Sequence, residues 1–232
     1  MKLARCGDGP EIFHSLQGEG RHTGRPSVFV RLSGCNLHCS WCDTAYTWNW
    51  KEFDQEKESY EMSVADLASR IRSYGCRNLI FTGGEPLVQQ SELGQLWPLL
   101  GGDFRVEFET NGTIRPSEVT EGRADYYAVS PKLANSGNRE EVRQRERALR
   151  FFAESRKADF KFVIASEADF SEVEKLRSEL GLEAERIFLM PEGTMLEALD
   201  EKSEWVSELC LQHGYRFSDR LHVRLYGSKR GV

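Results

Sequence analysis

Three cysteines, Cys35, Cys39 and Cys42, stand in a CxxxCxxC run directly after the apolar, β-branched stretch Ser27-Val28-Phe29-Val30-Arg31-Leu32. A strand that runs straight into metal-ligating side chains restricts the fold. In βα barrels and open parallel sheets, ligands gather at the C-terminal ends of the strands, where the loops converge. Thiols at this spacing can close on one metal centre, but structural zinc takes four protein ligands and an electron-transfer cubane takes four cysteines. A solitary triple leaves one coordination position open to chemistry. Two plainer readings stand beside it: a zinc site completed by His38 or His14, and three unrelated cysteines.

The pattern around the triple is an alternation of strand and helix. Arg77 to Thr82 reads as a second strand ending at Gly83-Gly84, followed by a helix over 91–100. Further strands are predicted over 105–110, 125–129, 160–164 and 186–190, which with 27–32 makes six. Helices are expected at 63–74, opened by the capping signature Ser63-Val64-Ala65-Asp66 and stopped by Gly75, and at 138–157, 170–180 and 194–213. The charged run 139–150 fits a solvated helix face better than a binding surface. Ile12 to Arg21, with Gly18 and Gly20 around Glu19, is expected to be a loop or hairpin, Thr47 to Tyr60 a mobile charged connection, and 217–225 a last strand. These elements imply an α/β fold, a partial, open TIM-like βα barrel of six mainly parallel strands, in a single domain over 1–232.

Composition narrows the function. The net charge is −6 and no block of like charges occurs, so neither a nucleic-acid nor an anionic-membrane surface is indicated, and the substrate is expected to be small. No apolar run approaches the about 18 residues of a membrane helix, and Met1 to Pro10 lacks the apolar core of a signal peptide, so a cytoplasmic location is expected. In that reducing setting the six cysteines read as metal ligands plus the spectators Cys6, Cys76 and Cys210.

About 40 residues beyond the cysteine loop, directly after the second strand, comes Thr82-Gly83-Gly84-Glu85-Pro86. Alone this is an ordinary turn. With the cysteine triple it resembles the radical S-adenosylmethionine (SAM) enzymes, in which three thiolates hold a [4Fe–4S] cluster and SAM chelates the fourth iron. Leu16-Gln17-Gly18-Glu19-Gly20, Arg31, Cys42-Asp43-Thr44, Glu109-Thr110-Asn111-Gly112, Ser130-Pro131-Lys132 and the stretch Tyr226 to Val232 extend the resemblance to the 7-carboxy-7-deazaguanine synthase family, over nearly the whole chain. That family converts 6-carboxy-5,6,7,8-tetrahydropterin to 7-carboxy-7-deazaguanine with loss of ammonia, toward queuosine and other deazapurines. It starts by abstracting hydrogen at C6 through a 5′-deoxyadenosyl radical and regenerates SAM. The resemblance also implies Mg²⁺, a homodimer, and an electron donor such as flavodoxin or ferredoxin.

The same resemblance distributes roles. Cys35, Cys39 and Cys42 become the cluster ligands at the catalytic centre; Trp41, Asp43, Gly83, Gly84, Glu85, Ser130, Pro131, Lys132 and Met190-Pro191-Glu192-Gly193 become cofactor contacts. Gly83 and Gly84 would let the backbone approach SAM and present an amide to its methionyl group. Leu16, Gln17, Gly18, Glu19, Arg31, Thr82, Glu109, His222 and the carboxylate of Val232 become substrate contacts. Arg31 offers a planar fork to a carboxylate, with a surface salt bridge as the alternative; Glu19, Glu109 and Gln17 can meet the amide and amino edge of a pterin. Thr44 is the expected protein ligand of Mg²⁺, with a helix cap as the equal alternative; a lone histidine on a strand, as His222 is read, is more often simply packed, so its substrate role rests on the resemblance. Two rival readings are another small radical SAM enzyme, such as a glycyl-radical-enzyme activase, and a non-catalytic Fe–S or zinc-binding module.

Overall fold

The computed structural model describes residues 1–232. Its strands are β1 (Lys2–Cys6), β2 (Gly9–Pro10), β3 (Ile12–Leu16), β4 (Pro26–Leu32), β5 (Ser59–Glu61), β6 (Asn78–Gly83), β7 (Arg105–Thr110), β8 (Tyr126–Val129), β9 (Ala158–Ile164), β10 (Ile187–Pro191) and β11 (Arg216–Phe217). The helices are α1 (Gln55–Glu58), α2 (Val64–Ser73), α3 (Gln90–Leu100), α4 (Glu118–Arg123), α5 (Glu140–Arg143), α6 (Glu146–Glu154), α7 (Glu167–Leu180), α8 (Leu196–His213) and α9 (Leu221–Tyr226). One sheet runs β11-β10-β9-β8-β7-β6-β4-β1-β2, with β3 paired to β4 and β5 to β1. From β4 through β10 every neighbour is parallel, which gives the six expected strands of an open βα barrel, and β11 adds a short parallel strand at the far edge. The other edge is an antiparallel apron of β1, β2, β3 and β5, of which the sequence patterns pointed only to a loop or hairpin over 12–21, where β3 in fact pairs with β4.

Period-two alternation sorts the side chains of each parallel strand. Val28, Val30 and Leu32, then Phe81, Phe108 and Tyr127, and then Phe160, Phe162 and Leu189 are buried in one apolar core. Phe81, Phe108 and Tyr127 stack in sequence across β6, β7 and β8 with centroids 5.5 and 5.8 Å apart, capped edge-on by Trp97 of α3 and Phe152 of α6. The alternate positions, Arg31, Thr82, Glu109, Ala128, Lys161 and Met190, line a cavity at the C-terminal ends of the strands. Deeper in the interior, the loop joining β3 to β4 inserts Arg21 and His22. His22 Nδ1 meets Glu107 Oε2 at 2.8 Å, Arg21 pairs with Asp159, and the Tyr126 hydroxyl donates to Asp159 at 2.8 Å. The interior is therefore plugged by paired charge below and open above.

Three expected elements differ. The helix over 138–157 is two helices, α5 and α6, because Arg143 turns inward: its guanidinium donates to the carbonyls of Asn138 and Lys132 and pairs with Glu172. The connection 47–60 is ordered, with α1 capped by Asp54 and β5 paired to β1. Of the last strand expected over 217–225 only Phe217 lies in β11, and 221–225 lie in α9; Leu221 N–H donates to the Gly18 carbonyl at 2.9 Å, which draws the chain off the sheet and across the cavity. Ser63 caps α2 through the Asp66 N–H as expected, but the reciprocal bond goes from the Ser63 hydroxyl to the Asp66 carboxylate. No helix is long and apolar enough to cross a membrane.

Candidate active site

The cysteine loop leaves β4 and is held down by the Gly83-Gly84 turn that ends β6. Gly84 N–H donates to the Leu32 carbonyl at 3.0 Å and Glu85 N–H to the Gly34 carbonyl at 2.9 Å. A Cβ on Gly84 would be driven into the Gly34 carbonyl and lie 3.1 Å from Cys35 Cβ; one on Gly83, where φ is +121°, would strike the Leu32 carbonyl. Both glycines line the cavity as expected, but their lack of a Cβ is imposed by the close approach of two protein loops, and of their two amides that of Gly84 is already committed to Leu32. Glu85 also departs from expectation. It is fully buried and off the cavity wall, accepting from Leu87 N–H, the Thr110 hydroxyl and Asn111 N–H at 2.7–3.0 Å. It caps the short helix that follows and pins the turn after β7. Burial pushes its carboxyl up to about 6. Pro131 likewise is buried off the lining, while Ser130 and Lys132 on either side of it face in.

Each thiol sulfur receives an N–H donor: Leu37 N–H on Cys35 at 3.4 Å, Asn138 Nδ2 on Cys39 at 3.3 Å, and Trp48 Nε1 on Cys42 at 3.3 Å. Burial raises the Cys35 thiol to about 12 and the Cys39 thiol in the same direction, so thiolates here require a cation to hold them. N–H donors on sulfur and a need for metal charge fit an iron–sulfur cluster. A closed zinc site would need a fourth protein ligand beside the three thiolates, whereas a cubane takes each thiolate on a different iron. Neither candidate zinc histidine serves: His38 stacks on Trp48 at 4.6 Å and His14 lies exposed on β3 near Tyr74.

Beside the loop, Lys132 Nζ donates to Ser130 Oγ at 2.8 Å and lies 5.6 Å from the Trp41 ring centroid, and it has no carboxylate partner. Met190, Pro191, Glu192 and Gly193 close this side. Thr44 precedes a short helix without capping it, its hydroxyl 3.6 Å from Cys42 Sγ, so the cap alternative falls away.

Across the cavity lies a polar set. Arg31 is no surface salt bridge: its Nε donates to buried Glu11 at 2.8 Å, and its two terminal nitrogens have no protein acceptor. Glu109 accepts from Thr82 Oγ1 at 2.6 Å and from Gln17 Nε2 at 3.0 Å. Glu19 is more committed than expected, pairing with Lys161 and, at 3.1 Å, with Arg220. Burial alone would raise its carboxyl, but those cations together hold it well below the usual range. Arg220 also pairs with Asp43 and donates to the Gly193 carbonyl at 2.6 Å, tying three loops together. His222, on α9 rather than a strand, faces the cavity above Glu19; burial lowers its pKa against the pull of that carboxylate. Gly18 must lack a Cβ because the His222 ring occupies that space. Leu16 and Val232 complete the wall.

Sequence reasoning missed Lys161, Arg220, Asn138, Trp48 and Glu11. Lys161 was legible in principle, as a lysine amid an otherwise apolar strand; the others act through tertiary neighbours that carry no local signal.

Residues 29–166 match the Radical SAM superfamily, and with the cysteine loop at the mouth of an open βα barrel the chain belongs to that superfamily. It is 37% identical to the 7-carboxy-7-deazaguanine synthase of Pyrobaculum aerophilum, with 95% of each chain covered, and 37% identical to that of Halobacterium salinarum, covering 95% and 92%. The crystal structure of QueE from Escherichia coli superposes with a TM-score of 0.67 at 30% identity, covering 91% and 92%. Within the superfamily, the chain belongs to the 7-carboxy-7-deazaguanine synthase family.

Proposed function

We propose that the cavity binds SAM on its Lys132 side and the carboxypterin on its Arg31 side, and that the residues around it divide the family's reaction between them. The activity is that of the family, conversion of 6-carboxy-5,6,7,8-tetrahydropterin to 7-carboxy-7-deazaguanine. The observation that carries the division is electrostatic: of the cations on the wall, Lys161 and Arg220 are spent on carboxylates, whereas Lys132 and the ends of Arg31 are not. Two free positive positions on one cavity wall suit two carboxylate-bearing ligands.

When bound, the cluster and SAM supply the electron and the radical chemistry. Cys35, Cys39 and Cys42 hold the cluster; Trp41, Ser130, Lys132 and the 190–193 segment orient SAM. Arg31 grips the pterin carboxylate, while Glu109, oriented by Thr82 and Gln17, accepts from the amino and ring N–H donors. His222 and α9 cover the site and exclude water. The Thr44 hydroxyl, uncommitted to a cap, is suited to Mg²⁺, which keeps substrate and water oxygens in its shell. A single domain over 1–232, a homodimer, a cytoplasmic setting and a flavodoxin- or ferredoxin-type donor complete the reading.

The test is an anaerobic assay of reconstituted protein with SAM, dithionite, Mg²⁺ and 6-carboxytetrahydropterin, following product by mass. Deazaguanine product with wild type and none with Cys39→Ala is expected. Methionine and 5′-deoxyadenosine without that product would overturn the substrate reading and move the chain toward the activase-like alternative.

A further inference from the structure

Behind Arg31 lies a buried relay that the division of roles above does not use. Glu11, 1% exposed, accepts from Arg31 Nε at 2.8 Å, and the Tyr46 hydroxyl reaches both of its oxygens, at 2.9 and 3.2 Å. The other side of Tyr46 carries Arg230, whose guanidinium carbon sits 3.4 Å from the ring centroid and whose Nη1 donates to Glu58 at 2.7 Å. Arg230 belongs to the segment after α9 that brings Val232 to the cavity wall. Contacts therefore run unbroken from the cavity face of Arg31 through Glu11 and Tyr46 to the covering segment.

The geometry has a chemical consequence. A carboxylate beside a guanidinium favours a bidentate fork that takes up two of its nitrogens. Here the Tyr46 hydroxyl occupies Glu11, so Arg31 offers it only Nε and keeps both terminal nitrogens for the cavity. We propose that Glu11 and Tyr46 are positioning residues that preset the Arg31 fork for a carboxylate and couple its occupation to closure of the 227–232 segment. This rests on Arg31 being the carboxylate anchor.

The probe is 6-carboxypterin, the oxidised form that cannot turn over, followed by its fluorescence, with pterin lacking the carboxylate as the comparison. Tyr46→Phe keeps the ring under Arg230 but frees Glu11 to chelate Arg31. It is expected to weaken 6-carboxypterin about tenfold, the worth of one hydrogen bond to a charged group, and leave pterin unchanged. Closure is read separately, as cleavage after Lys229 by a lysine-specific protease. The wild type should be protected by 6-carboxypterin, whereas Arg230→Ala, a change on the outer segment that leaves the relay's interior intact, should lose that protection.

Wild-type affinity in Tyr46→Phe would overturn the preset, and undiminished protection in Arg230→Ala would overturn the coupling. Arg31→Ala separates this from the underlying assignment. If it too binds 6-carboxypterin like wild type, the anchor itself is wrong; if it loses binding while Tyr46→Phe does not, only the relay falls.

Discussion

The Gly84→Ala substitution separates two reasons for a glycine beside a cofactor. If glycine is needed so that SAM can approach, alanine should leave the cluster-free chain untouched and weaken only SAM binding. The structure gives the other answer, since the added Cβ would enter the Gly34 carbonyl and crowd Cys35. Relief requires the cysteine loop to lift, straining the bonds from Gly84 N–H to Leu32 and from Glu85 N–H to Gly34, at 3.0 and 2.9 Å. Two backbone bonds at about 1 kcal/mol each, with about 1–3 kcal/mol for overpacking, total about 3–5 kcal/mol. In a domain of this size, at about 2–4 °C per kcal/mol, that lowers Tm by about 6–20 °C. The assay is thermal unfolding of the cluster-free protein, followed by iron content after reconstitution, with Gly102→Ala as the control because nothing lies within 4 Å of its Cβ. Wild-type melting of cluster-free Gly84→Ala, with only SAM affinity reduced, would refute the steric account.

Other outcomes follow from the same contacts. Arg31→Ala should raise KM for the carboxypterin by about 10- to 100-fold and, by leaving Glu11 buried without its cation, destabilise the chain by about 3 kcal/mol, checked by steady-state kinetics and urea unfolding. Thr44→Ala should abolish stimulation by Mg²⁺ with iron content unchanged; stimulation equal to wild type would remove Thr44 from the metal. Glu85 is raised from 4.5 to about 6, so the folded chain binds more protons than the unfolded one across that interval. Its contribution is therefore most favourable below about pH 4.5 and declines by about 2 kcal/mol as pH rises through 6, a slope that Glu85→Gln should flatten in pH-dependent urea melts.

What the sequence made legible was what periodicity and spacing encode. The six parallel strands are short, rich in apolar and aromatic residues and separated by helical patterns, so their existence and order could be read, as could the cysteine loop at a strand end. The errors share a cause, in that a tertiary partner overrode a local pattern. Arg143 looks like one more charge on a solvated helix until Glu172 and the Lys132 carbonyl appear beside it and break the helix. Residues 221–225 alternate well enough for a strand, but the Gly18 carbonyl takes the Leu221 amide and starts α9. The motif residues were found, yet the motif alone could not tell a residue that faces a ligand from one that holds its neighbour. Glu85 lies within the signature and is sealed behind it.

That distinction governs the chemistry of the cavity. A buried charge is costly unless paired, and every carboxylate near Arg220 is paired: Glu19 and Asp43 converge on its guanidinium, and Lys161 takes the second oxygen of Glu19. These pairs cancel locally and tie the loops after β3, β4 and β11 to one another and to β9, building rigid walls that offer little net field to a ligand. Specific attraction then falls to the groups left incomplete, Lys132 with only a serine hydroxyl and Arg31 with only its Nε engaged. Removing a wall pair such as Arg220–Glu19 would loosen the site for both ligands together, whereas removing Lys132 or Arg31 would cost one ligand and spare the other. The two cations without full partners, more than the charge density of the cavity, set what it selects.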